Sequence, residues 1–134
     1  MKNDQVNNFI ERITLWVSAQ SDIQALGLVG SYARNAASAT SDIDLILVVD
    51  DLNRYLHNPK WVEQFGVIEK KQMEYYGLVT SIRVWYTNRL EVEYGIADER
   101  WAALPLAEST RQVIRDGLRV LFERGNLLSC HLTP

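Results

Sequence analysis

The sequence predicts a mixed α/β (α+β) domain, a small mixed β-sheet of about five strands flanked by helices. Three observations carry that reading. Residues 4–20 and 109–124 have apolar positions at helical spacing. Between them lie several short apolar runs of strand length. Residues 45–49 are aliphatic without a break, as in a strand covered on both faces. At 134 residues the chain has the length of one domain, 1–134.

In order, residues 4–20 put Val6, Phe9, Ile10, Ile13, Trp16 and Val17 on one helical face, with Asp4 as the expected cap. Ser21-Asp22 ends that helix, and Ile23–Val29 reads as a short buried strand. Gly30-Ser31 closes the strand, and 32–37 reads as a short helix. Ile43–Val49 is the most strand-like run and is expected centrally in the sheet. Residues 50–64 are polar and broken by Pro59, which suggests short helices. Residues 67–76 and 78–86 flank Gly77 as two strands, and 90–96 follows the Thr87-Asn88-Arg89 turn as another. Residues 109–124 read as a second long helix. Ser109 and Gln112 have capping-box spacing, Val113, Leu118, Val120, Leu121 and Phe122 supply a broad apolar face, and Gly125-Asn126 stops it.

Composition narrows the function classes. Fourteen Lys and Arg against seventeen Asp and Glu give a net charge of -3. General affinity for nucleic-acid backbones needs a basic excess, so it is not expected, although a local cationic pocket remains compatible. The single cysteine, Cys130, excludes an internal disulfide and a cysteine-based zinc site, and suits a reducing cytoplasm. The longest aliphatic run is far short of the ~18 residues of a membrane helix. Met1-Lys2-Asn3-Asp4 lacks the apolar core of a signal peptide, so the expected location is cytoplasmic.

The chemistry concentrates between Gly30 and Leu45. Side chains alternate along a strand, so Asp42 and Asp44 point one way while Ile43 and Leu45 point into the core. Two carboxylates on one face repel unless a cation lies between them, and hard oxygen ligands suit Mg²⁺. Asp-x-Asp alone also describes a solvated pair at a strand start. Gly30-Ser31 follows an apolar strand and opens a short helix. A glycine there lets backbone approach a ligand, free N–H groups and the Ser31 hydroxyl favour an anion, and Arg34 can reach a phosphate. Alone, Gly-Ser also describes an ordinary strand-to-helix turn.

Taken together, Val29-Gly30-Ser31 and, ten residues on, Asp42-Ile43-Asp44-Leu45 resemble the signature of the DNA polymerase beta-like nucleotidyltransferase superfamily. The Ala33-Arg34 pair and Ser41 resemble its small bacterial branch, the minimal nucleotidyltransferases and aminoglycoside adenylyltransferases. The resemblance implies the nucleotidyltransferase fold. It implies Asp42 and Asp44 as ligands of two Mg²⁺ ions, with Gly30 and Ser31 holding the phosphates of ATP or another nucleoside triphosphate. It also implies a third carboxylate on a later strand. In Leu90-Glu91-Val92-Glu93-Tyr94-Gly95-Ile96 the acids share one face, and Glu93 is the choice, with Glu91 as the fallback. Glu93 would ligate metal or take the acceptor's proton.

Arg83 alternates with Ile82 and Val84, and is placed either on a phosphate or carboxylate or in solvent. Trp85 and Tyr86 could stack on a base but read more simply as packing, and His57 and His131 are given no role. The expected reaction moves a nucleoside monophosphate, AMP from ATP, to a hydroxyl of a small molecule or protein and releases pyrophosphate. The alternative is an inactive nucleotide-binding or regulatory module, or an antitoxin-like partner of a helical protein. Because aminoglycoside adenylyltransferases carry a further helical domain, a homo-oligomer or a helical protein partner is expected to complete the acceptor site.

Overall fold

Helix α1 (Lys2–Ser18) begins the chain and leads into strand β1 (Ile23–Val29). The one-turn helix α2 (Gly30–Ala33) precedes β2 (Ile43–Val49), and α3 (Leu52–Leu56) is followed by a 3₁₀ segment, Pro59–Phe65. Then come β3 (Ile68–Tyr76), β4 (Val79–Tyr86) and β5 (Glu91–Ala97), a 3₁₀ turn at Glu99–Ala102, helix α4 (Glu108–Asp116) and β6 (Leu118–Glu123). This computed structural model describes residues 2–38 and 40–132. The strands form one mixed sheet in the order β3-β4-β5-β2-β1-β6. Among the described residues only the β2–β5 pair is parallel.

The central position of β2 follows from its composition. Ile43, Leu45, Leu47 and Val49 join one core cluster, whereas Ile46 and Val48 join another on the opposite face. Each fully buried aliphatic side chain contributes about 1.5–3 kcal/mol, so a strand apolar on both faces belongs in mid-sheet. The first cluster lies under α1 (Phe9, Ile13, Val17), α3 (Tyr55) and the 3₁₀ segment (Val62, Phe65). The second lies under Trp101 and Ala102, with Val113 and Ile114 of α4 packed against it.

Aromatic rings fasten the first layer. Phe9 and Trp61 meet the Tyr94 ring edge to face at 6.1 and 4.9 Å. Beside them the buried Tyr86 hydroxyl donates to Val62 O at 2.7 Å and lies 2.7 Å from the Tyr94 hydroxyl. Burial lifts both phenols above their ordinary range, Tyr86 to about 12, so both stay neutral hydrogen-bonding groups. Tyr86→Phe strands the Val62 carbonyl and the Tyr94 hydroxyl. It is expected to cost about 1–3 kcal/mol in chemical denaturation, with no change in ligand binding.

The structure corrects the C-terminal half. The expected helix at 109–124 is helix only to Asp116. Gly117 then takes φ +130, which no helix contains, and β6 pairs antiparallel with the otherwise open edge of β1. A Cβ at Gly117 would lie 3.3 Å from Arg34 Cβ, so a larger residue would crowd α2. The sheet therefore has six strands rather than five. The Ser109–Gln112 capping box is also absent: the cap is Ala107, which makes no side-chain bond, and Ser109 is already inside the helix. Helix α2 ends at Ala33 rather than 37, because Asn35 turns the backbone left-handed at φ 56. Asp4 lies in the first turn of α1 rather than before it.

Candidate active site

The parallel pairing of β2 and β5 sets Asp44 directly beside Glu93. Asp42, just before β2, lies on the same side as Asp44. Ligand oxygens of Asp42, Asp44 and Glu93 all lie within 4.8 Å of one another. On the far side of β5, β4 brings Arg83 level with Glu93. Strand alternation puts these groups on the sheet face opposite the aromatic layer.

The cluster is electrostatically strained. Asp44 Oδ1 is buried without a hydrogen-bond partner. Burial above all, then Glu93 and the charge of Asp42, pushes the Asp44 carboxyl up to about 9. Burial also raises Glu93, with Arg83 acting against the rise. An orphaned buried carboxylate oxygen among three convergent hard donors fits a divalent cation of the Mg²⁺ type.

Arg83 supplies the positive charge present. Its Nη1 donates to Asp42 Oδ2 at 3.2 Å and to Glu91 Oε2 at 2.7 Å. Its Nη2 donates to Glu93 Oε1 at 2.9 Å and its Nε to Glu74 Oε1 at 3.1 Å. Burial alone would lower the guanidinium, but Glu91, Glu93 and Glu74 hold it firmly protonated. Glu91 thus sits on the guanidinium, outside the three-carboxylate group.

Gly30, the first residue of α2, packs against the cluster from the end of β1. It has φ +72, and a Cβ there would fall 2.6 Å from Asp44 Oδ2. A left-handed backbone costs an L-residue roughly 1–2 kcal/mol, and the contact adds to it. Gly30→Ala is therefore expected to lower the melting temperature and to weaken stabilisation by added Mg²⁺. Thermal melts with and without Mg²⁺ test both effects. Ser31 follows in α2, half-buried. Arg34 does not join the cluster: it is exposed, and among the described residues its side chain makes no hydrogen bond or ion pair. The turn at Asn35 ends α2 before another helical residue could follow.

A hollow of about 260 Å³ opens beside Asp44 and Glu93, with walls from Val29, Ile46, Val79 and Trp101. That is slightly below the ~300 Å³ at which drug-sized ligand sites begin, so it has room for one ring system. Tyr86 is packing, and the Trp85 ring lies under Lys70 Nζ at 4.9 Å. His131 lies 3.0 Å from Ala102 O.

Glu74 was the group that pattern reading missed. The hairpin turn at Gly77 pairs Tyr76 with Val79, Glu74 with Ser81 and Gln72 with Arg83. That register sets Glu74 diagonal to Arg83 on one face, and counting outward from Gly77 could have found it. Among the described residues no helix is long and apolar enough to cross a membrane.

Comparison with known proteins shows a family and a fold. The family model of streptomycin adenylyltransferases matches residues 1–87, which include Gly30, Ser31, Asp42, Asp44 and Arg83 and stop short of Glu93. No curated protein sequence matches. An aminoglycoside 6-adenyltransferase from Bacillus subtilis superposes with a TM-score of 0.52 at 17% identity, over 65% of this chain and 32% of its own. A cytoplasmic RNA terminal U-transferase superposes with a TM-score of 0.52 at 15% identity, over 69% of this chain and 28% of its own. At these identities the likeness is one of fold. The chain spans about a third or less of the length of these two structures, by the 32% and 28% figures.

Proposed function

The chain belongs to the streptomycin adenylyltransferase family, and from that premise we propose that it is a Mg²⁺-dependent nucleotidyltransferase. It transfers AMP from ATP to a hydroxyl group and releases pyrophosphate. The observation that carries this reading is the triad of Asp42, Asp44 and Glu93 within 4.8 Å, with Gly30 against Asp44. Amino-sugar alcohols are the first acceptor class to try, because the family and the Bacillus subtilis structure carry aminoglycoside names.

Asp42, Asp44 and Glu93 would hold the divalent metal, which supplies charge neutralisation for the triphosphate and the leaving group. Gly30 lies against Asp44, and Gly30 and Ser31 hold the β- and γ-phosphates through backbone N–H groups and the Ser31 hydroxyl. The acceptor oxygen forms a bond to the α-phosphorus as the α–β bridging P–O bond breaks. Pyrophosphate leaves with that electron pair. Glu93 takes the hydroxyl proton. Asp44 must lose its own proton before it can act as a ligand. The rest of the catalysis is positioning of the two reactants.

The test is pyrophosphate release from Mg²⁺ and ATP across a panel of hydroxyl acceptors, beginning with amino sugars. Release that depends on the acceptor supports transfer. Stabilisation by Mg²⁺ with ATP, but no release with any acceptor, would favour the nucleotide-binding module instead. No stabilisation by either would remove both readings.

A further inference from the structure

One guanidinium facing four carboxylates is more than a structural ion pair needs. Two of its partners, Asp42 and Glu93, belong to the carboxylate triad. The other two, Glu74 and Glu91, do not. We propose that Arg83 is the resident counter-ion of the triad. It exchanges its Nη contacts on Asp42 and Glu93 for a divalent cation, while Glu74 and Glu91 keep it beside the site, ready to pair with the triphosphate.

The exchange follows from the geometry. A dication at the triad would sit beside the guanidinium and share its ligands, and like charges so placed repel. Arg83 does not complete the triad either, because Asp44 Oδ1 remains buried and unpartnered with the guanidinium in place. The backbone cannot follow the exchange, since Ile82 and Val84 on either side of Arg83 are both fully buried at 0% exposure. Movement is therefore confined to the side chain.

Its anchors allow a partial swing. Nε is tied to Glu74 at 3.1 Å and Nη1 has its shortest bond, 2.7 Å, to Glu91. The contacts that must break are those of Nη1 to Asp42 at 3.2 Å and of Nη2 to Glu93 at 2.9 Å. The Trp85 ring, 6.0 Å from Arg83 Cζ, adds a cation–π attraction to these two anchors. Planar N–H groups freed from Asp42 and Glu93 match phosphate oxygens. Metal alone must displace Arg83 and so binds weakly. Nucleotide takes up the displaced guanidinium, so metal and nucleotide favour each other's binding. That last step rests on the proposed nucleotidyl transfer, whereas the exchange with metal does not.

The experiment labels the arginine side chains of the full chain with ¹⁵N and titrates with MgCl₂ alone. The Arg83 Nη resonances are expected to shift, while the Nε–H signal stays protected and is lost in Glu74→Gln. Calorimetry without nucleotide is expected to show that Arg83→Gln binds Mg²⁺ at least tenfold more tightly than the wild type and binds Mg²⁺ with ATP more weakly. Arg83→Lys keeps the charge but not the fork, and should recover the weak binding of Mg²⁺ alone without recovering ATP binding. Mg²⁺ binding with unmoved Nη resonances overturns the exchange and leaves the metal site standing. A wild type and an Arg83→Gln variant that both ignore Mg²⁺ overturn the metal site and this proposal with it. Exchange seen with Mg²⁺ but no response to ATP overturns the triphosphate step and the transfer reading together. The labelling measurement uses the wild type, so it decides the exchange even if Arg83→Gln does not fold.

Discussion

Asp44→Asn is expected to abolish nucleotidyl transfer and, at the same time, to make the metal-free protein more stable. The activity loss should be roughly 10²–10³-fold or more, the scale of removing one preorganised electrostatic group from a reaction centre. The stability gain follows because the amide brings no charge into the cluster and needs no proton on folding. Both effects come from one carboxyl group. Asp44 Oδ1 is buried without a partner, and the carboxyl is pushed up to about 9 by burial, Glu93 and Asp42. The folded protein therefore binds this proton more tightly than the unfolded chain, whose aspartates titrate near ~3.9. The associated stability is complete below that ordinary value and is lost as pH rises toward about 9. Glu93, raised in the same direction, adds to the same slope. Melts in chelator from acid to mildly alkaline pH should show falling stability in the wild type and a flatter profile in Asp44→Asn. An equal or steeper slope in the variant would place the strain elsewhere. Added Mg²⁺ should reverse the ranking, since it stabilises only the protein that keeps the ligand.

The parts of this site that sequence made legible are those governed by strand alternation. Ile43, Leu45 and Leu47 had to face a core, so Asp42 and Asp44 had to face away together, and Val92 and Tyr94 fixed Glu91 and Glu93 in the same manner. The two families of contact that were not legible depend on pairing between strands. The run from Leu118 to Phe122 satisfies helical and strand periods alike, and only the open edge of β1 decides for a strand. Gly117 marked the break, but a glycine inside an apolar pattern does not dictate whether helix or strand comes after it. The fourfold engagement of Arg83 needs β3, β4 and β5 in register, with Asp42 reached across the sheet, and no local pattern encodes a contact between residues 42 and 83.

The separate roles of two acids on β5 yield the sharpest contrast in activity. Glu93→Gln is expected to lower kcat by about 10²–10⁴-fold, the range of general-base catalysis, and to weaken Mg²⁺ binding as well. Glu91→Gln should cost less, about 10–100-fold in kcat/KM, the usual loss when a residue that supports a metal ligand is removed. The difference is positional. Parallel register sets Glu93 level with Asp44, and its oxygen falls in the three-carboxylate group. Glu91 lies two residues earlier, opposite Trp85, and its Oε2 is occupied by Arg83 Nη1 at 2.7 Å. Its removal loosens the guanidinium and should appear mainly in KM for ATP. Glu93→Asp keeps the charge on a shorter arm and should recover metal binding more than rate, since a base must reach the acceptor hydroxyl. Transfer that survives Glu93→Gln and fails in Glu91→Gln would reverse the assignment. That outcome would also require Arg83 to leave Glu91 free for metal, which ¹⁵N signals of the guanidinium would report directly.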